Sequence, residues 1–135
     1  MAGGAGMSEV EMVTVRSRAE LRAWLESHHA TSPGVWLATY KKHHPDYLPW
    51  MEAVEELICW GWVDGQVGAL DADRMRHRVA RRNPKSAWSA VNKDIVARMR
   101  ATGRMTEAGE AVIAAAVATG MWTFLDDVER LEVPE

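Results

Sequence analysis

Two extended runs, Trp62 to Leu70 and Arg74 to Arg82, are separated only by Asp71-Ala72-Asp73, and segments with helical periodicity stand on both sides of them. A polar link of that length closes a β-hairpin, and a hairpin set between helical segments commits the chain to an antiparallel pair within an α+β arrangement. Cys59 is the only cysteine, which removes internal disulfides and any multi-cysteine metal cage, so packing must hold the fold. With 135 residues, 47% of them hydrophobic, the chain is long enough for one ordinary core.

The flanking segments predict the remaining elements. Residues 1–9 carry Gly, Ala and Met without period and read as a disordered tail; 10–135 read as one domain. Val10 to Arg16 is a short β-branched run, followed by Ser17-x-x-Glu20 with capping-box spacing and by Leu21, Trp24, Leu25 and His28 on one helical face. Gly34 to Lys42 alternates with apolar residues on both sides, as a central strand does. Residues 50–60 place Trp50, Val54, Leu57 and Ile58 inward and Glu52, Glu55 and Glu56 outward, with Gly61 as the stop. After the hairpin, Ser86 or Ser89 caps a helix with Trp88, Val91, Ile95 and Met99 inward, and Thr106 caps a last one rich in small residues. The order β-α-β-α-β-β-α-α predicts an α+β domain with a mainly antiparallel sheet, a central hairpin and about four helices.

Chemistry concentrates on the hairpin. Arg74, Arg76, Arg78, Arg81, Arg82 and Lys85, with His77, lie together without one acid, although the chain carries a net charge of -3. Alternation puts Arg74, Arg76 and Arg78 on one face. Pairing Leu70 with Arg74 would set Gly68 opposite Arg76 and Gln66 opposite Arg78, with Trp62 and Asp64 on that same face. Such a groove offers guanidinium forks for an anion and an indole for stacking. The competing reading is a solvated sheet face. Trp60, Trp62 and Trp88 either line the groove or simply pack as core. The five histidines lack metal-ligand spacing, and Cys59 reads as a core thiol, so no metal and no cofactor is expected.

Three ordered stretches carry a resemblance: EAVEELICWGWVDGQ, RHRVARRNPKSAWSAVNKDIVARM and GRMTEAGEAVIAAA. They resemble the YdeI/OmpD-associated family, also called bacteriocin-protection proteins, over roughly residues 13 to 125. The resemblance implies a short form, since longer members continue past the position of Pro134 into a helical C-terminal segment. It also implies a role in bacteriocin or antibiotic protection, and it puts weight on Trp60, Trp62, Asp64, Gly65, Arg78, Arg81, Trp88, Ser89 and Asn92.

The expected function is therefore a cytoplasmic protection protein binding a small molecule or peptide. Arg78 and Arg81 would hold anionic groups, Trp60, Trp62 and Trp88 would give apolar contact, and Asp64, Gln66, Ser89 and Asn92 would orient the ligand. A small enzyme using Asp64 or Glu56 as base is the alternative. Nucleic-acid binding through the basic hairpin is disfavoured by net acidity. No apolar run is long enough to span a bilayer, and a homo-oligomer is left open.

Overall fold

Ser17 opens the first helix as its spacing predicts: its hydroxyl accepts the Glu20 backbone N–H at 3.1 Å, and the Glu20 carboxylate reaches back to the Arg16 N–H at 2.7 Å. The computed structural model describes residues 10–126. In chain order its named elements are β1 (Met12–Thr14), α1 (Arg18–His28), β2 (Val35–Tyr40), α2 (Trp50–Cys59), β3 (Trp62–Ala69), β4 (Arg74–Arg81), α3 (Ala90–Ala101) and α4 (Glu107–Thr119). The order matches the expected one, and the class is α+β. The tail expected over residues 1–9 and the stretch 127–135 lie outside the described residues.

The strands form one sheet in the order β1-β2-β4-β3. β1 runs parallel to β2, while β2–β4 and β4–β3 are antiparallel, so the sheet is mixed with the hairpin strand β4 at its centre. Odd-numbered residues of the two inner strands, Val35, Leu37, Thr39, His77 and Val79, are buried. Of these, Val35, Leu37 and Val79 pack with Leu21, Leu25, Ala53 and Leu57 of α1 and α2. The even-numbered residues form the opposite face, where Trp36, Ala38 and Tyr40 lie beside Arg78, Arg76 and Arg74.

The hairpin register departs from the simple one. Gly68 does pair with Arg76, but between Asp64 and Val67 the register shifts: Asp64 opposes Val79 and Trp62 opposes Arg81. One extra β3 residue at Gly65-Gln66 makes a bulge, and one extra residue turns every side chain beyond it to the other face. Trp62 and Asp64 therefore sit on the helix-covered side, away from Arg74, Arg76 and Arg78. Trp62 is 0% exposed and belongs to the core.

A second cluster joins α2 to the last two helices through Ile58, Cys59, Trp88, Ile95, Val96, Met99, Ile113 and Ala116. Ser89 caps α3 through the Asn92 N–H at 3.2 Å. Val91, expected inward, is 62% exposed, and Val96 takes its place. Gly109 and Gly61 both allow close approach here. The Thr106 hydroxyl donates to the Cys59 carbonyl at 2.6 Å, and a Cβ on Gly109 would run into that same carbonyl oxygen. Gly61, with φ of +77°, turns the chain out of α2, and a Cβ there would press on Val112.

Glu56 is the largest correction in the helices. It is 0% exposed. Its carboxylate accepts Arg18 Nε at 2.6 Å, Arg22 Nη1 at 2.9 Å and Arg104 Nη2 at 2.8 Å. Glu55 beside it accepts Arg18 at 2.7 Å and Arg98 at 2.8 Å. Burial alone raises the Glu56 carboxyl pKa, but the bonds from Arg18, Arg22 and Arg104 outweigh it and the net shift is downward.

Two stability outcomes follow from these contacts. Gly109→Ala gains about 1 kcal/mol of helix propensity but loses about 3 kcal/mol to overpacking against backbone, a net loss of about 2 kcal/mol in chemical denaturation. Glu56→Gln removes the charge the arginines share and costs roughly 3 kcal/mol at neutral pH. Because the folded carboxyl pKa lies below the unfolded value, its stabilisation is present above about pH 4.5 and is lost as pH falls through the folded pKa, so wild type and E56Q converge in acid. A constant difference down to pH 3 would contradict this account.

Candidate cleft between the sheet and the 41–48 loop

Where the helices stop covering the inner face of the sheet, the segment 41–48 and the first turn of α2 enclose a cleft of about 310 Å³. That volume suits a small organic ligand. Thr39, Met75 and His77 form its floor, on the inward side of β2 and β4; Trp50 and Leu48 form one wall; Tyr47, Lys41 and Lys42 stand at the rim. Tyr47 is 41% and Met75 37% exposed, so the apolar lining is open to solvent.

Trp50 and His77 stack on one another in the cleft, with ring centroids 3.5 Å apart and planes 9° from parallel. The Trp50 indole N–H donates to Asp64 Oδ2 at 3.2 Å, which fixes its plane. The bulge makes this possible, because without it Asp64 would point to the opposite face. His77 Nδ1 is buried without a partner among the described residues. Burial lowers the His77 pKa, the Asp64 charge offsets this only in part, and the imidazole is therefore held neutral at pH 7.

Asp64 also faces a second, much smaller cavity of about 10 Å³, the space of one water, bordered by Trp62, Arg82 and Asn92. Arg82 is buried there with its guanidinium stacked on Trp88 at 3.8 Å and Nη2 donating to the Ala87 carbonyl at 2.7 Å. Burial lowers its pKa, with Asp64 acting in the opposite sense. Three of the sequence-named residues, Trp62, Asp64 and Asn92, thus converge, but with Arg82 rather than Arg78 or Arg81, and on an interior cavity rather than an open groove.

The other named residues scatter. Arg78 Nη1 donates to the Val35 and Val79 carbonyls on the outer face, each at 3.0 Å. Arg81, on the other parity, reaches the Ala30 carbonyl at 3.3 Å. Gln66 is exposed in the bulge. Trp60 packs its ring on His29 at 4.7 Å, and Trp88 is core. Ser89 is a helix cap. Glu56, clamped and out of solvent, is not placed to act as a base, and burial pushes the Cys59 thiol up to about 11. The cleft residues Trp50, His77, Met75 and Tyr47 escaped the sequence reading because Trp50 fits a helix core stripe and the arginines drew attention to the wrong face of β4. The available signal was His77 on an otherwise apolar strand face.

Fold and site together define a small α+β domain, helix-covered on one sheet face with an aromatic cleft at the uncovered end. The chain belongs to the family described as a domain of unknown function, DUF8412, whose profile matches residues 13–112. No curated protein and no solved structure matches it. Among the described residues no helix is long and apolar enough to cross a membrane.

Since the folded His77 pKa lies below the unfolded value near 6.5, the unfolded chain takes the proton first and stability falls as pH drops from 6.5 towards the folded pKa. His77→Phe keeps a ring against Trp50 and removes this loss. Denaturation midpoints between pH 7 and 5 should fall for wild type and stay level for the variant; parallel slopes would refute the assignment.

Proposed function

We propose that the protein binds a small planar molecule carrying an anionic group, and that the cleft between β2, β4 and the 41–48 segment is where it sits. The observation that carries this reading is the Trp50–His77 stack, a flat aromatic wall fixed by Asp64 and opening on an apolar cleft. A planar ligand gains offset stacking there, of about 0.5–1.5 kcal/mol beyond its area burial. Lys41 and Lys42 at the rim supply the charge for a carboxylate or phosphate. A neutral His77 offers one donor and one acceptor for orientation.

Sequestration of such a molecule is an act that suits a cytoplasmic protective protein of the kind the sequence resembles, so the protective role stands on the resemblance and the ligand class on the cleft. Binding is favoured over catalysis because no nucleophile partners the buried His77 Nδ1 among the described residues, and Cys59 is buried with a raised pKa.

The probe is 2-naphthoate, followed by calorimetry and tryptophan fluorescence. Wild type should bind it saturably, Met75→Trp should abolish binding by filling the cleft, and the double change Lys41→Ala/Lys42→Ala should weaken it about tenfold while leaving the uncharged naphthalene alcohol unaffected. Binding that Met75→Trp leaves intact would place the ligand elsewhere and overturn the proposal.

A further inference from the structure

The outer face of the sheet points to a second activity. Ion pairing uses up most of the cations of the helical side: Arg18, Arg22 and Arg104 meet Glu55 or Glu56, Arg98 meets Glu55 and Asp94, and Arg100 meets Glu110. On the outer face, Arg74 is paired with Asp71, but Arg76 and Arg78 have no acidic partner among the described residues. Residues 10–126 carry 15 Lys and Arg against 14 Asp and Glu, so the net negative charge of the chain comes from residues outside the described ones. What is left on this face is uncompensated positive charge.

The same face carries flat groups. The Arg76 guanidinium lies over the Trp36 indole, 4.3 Å from the ring centroid, with its buried Nε beside Gly68. Tyr40 stacks on His44 at 4.1 Å. Among the described residues neither hydrophobic cluster includes a residue of this face, although Ala38 at its middle is buried beneath its neighbours.

We propose that this face binds single-stranded nucleic acid, with Arg76 and Arg78 on successive phosphates and the Trp36–Arg76 stack as the platform for a base. Alternate residues of β4 stand about 7 Å apart, comparable to successive phosphates on a drawn-out strand. Bases stack on guanidinium planes as well as on aromatic rings. A duplex is a poorer fit: four strands spaced at about 4.8 Å make a surface wider than the roughly 12 Å major groove, which accepts a two-stranded ribbon or a helix. An acidic peptide would satisfy the charges but would leave the stacking platform unused.

The test is fluorescence anisotropy of a labelled twelve-residue oligothymidylate with the full chain. Binding is expected in the micromolar range at 50 mM salt, weakening with a log–log salt slope of about −1.4 for two phosphate contacts. Arg76→Glu should reduce affinity at least tenfold while the fold is retained, its melting temperature lowered only by the loss of the Arg76–Trp36 stack. Arg78→Ala, which also gives up two carbonyl contacts, serves as the second variant, and Met75→Trp in the cleft should leave oligonucleotide binding unchanged, keeping this face separable from the naphthoate site. Failure to bind at 50 mM salt, insensitivity to Arg76→Glu, or equal competition by poly-glutamate or by duplex of the same length would each overturn the proposal.

Discussion

The buried carboxylate of Glu56 is the contact on which the helical half of the molecule turns. It lies on α2, yet its arginine partners come from α1 and from the segment between α3 and α4, so one side chain ties together elements far apart in sequence. An unpaired carboxylate at that depth would cost several kcal/mol, and the fork geometry of three guanidiniums is what makes it tolerable. The consequence reaches beyond stability. By drawing arginines inward on the helical side, this cluster neutralises them, whereas Arg76 and Arg78 on β4 have no acidic partner among the described residues.

The second constraint is the single extra residue in β3. A strand pair with regular register would have put Asp64 and Trp62 among the arginines, giving one mixed groove on the outer face. The bulge at Gly65-Gln66 instead sends Trp62 into the core and lets Asp64 take the Trp50 N–H. That hydrogen bond fixes the plane of the indole on which His77 stacks, so the bulge shapes the cleft without lining it. Bulges beside sites commonly re-aim a side chain in this way.

Much of the architecture was legible because it rests on local signals. The Ser17 and Ser89 caps, the Gly61 stop and the apolar spacing of α1 and α2 each act within a few residues, and the element order followed from them. The site was legible only in part. Asp64, Trp62 and Asn92 do come together, but periodicity cannot see an inserted residue, and the parity argument therefore failed beyond the bulge. Glu56 was misplaced for a related reason: an acid on a helical stripe reads as solvent-facing unless its arginine partners are known, and these lie 34 to 48 positions away in sequence. Glycine spacing in the 103–109 segment was visible, while its purpose, close approach of α4 to the Cys59 carbonyl, depends on tertiary docking.

Strand β4 belongs to both surfaces at once. Its even positions, Arg74, Arg76 and Arg78, look outward, and Met75 and His77 between them form the floor of the cleft. Neighbouring residues on one strand share a backbone but not a face, so a ligand in the cleft and one on the outer sheet touch through hydrogen bonds of the same ladder rather than through side chains. Because the ladder is held on both sides, by β2 and by β3, it is stiff, and occupation of one face has little means of displacing groups on the other. The Arg76–Trp36 stack on the outer face and the Trp50–Asp64 bond on the inner one each fix a strand side chain against a group outside its strand. A physical separation of that kind lets substitutions at adjacent positions, 75 and 76, act on different surfaces.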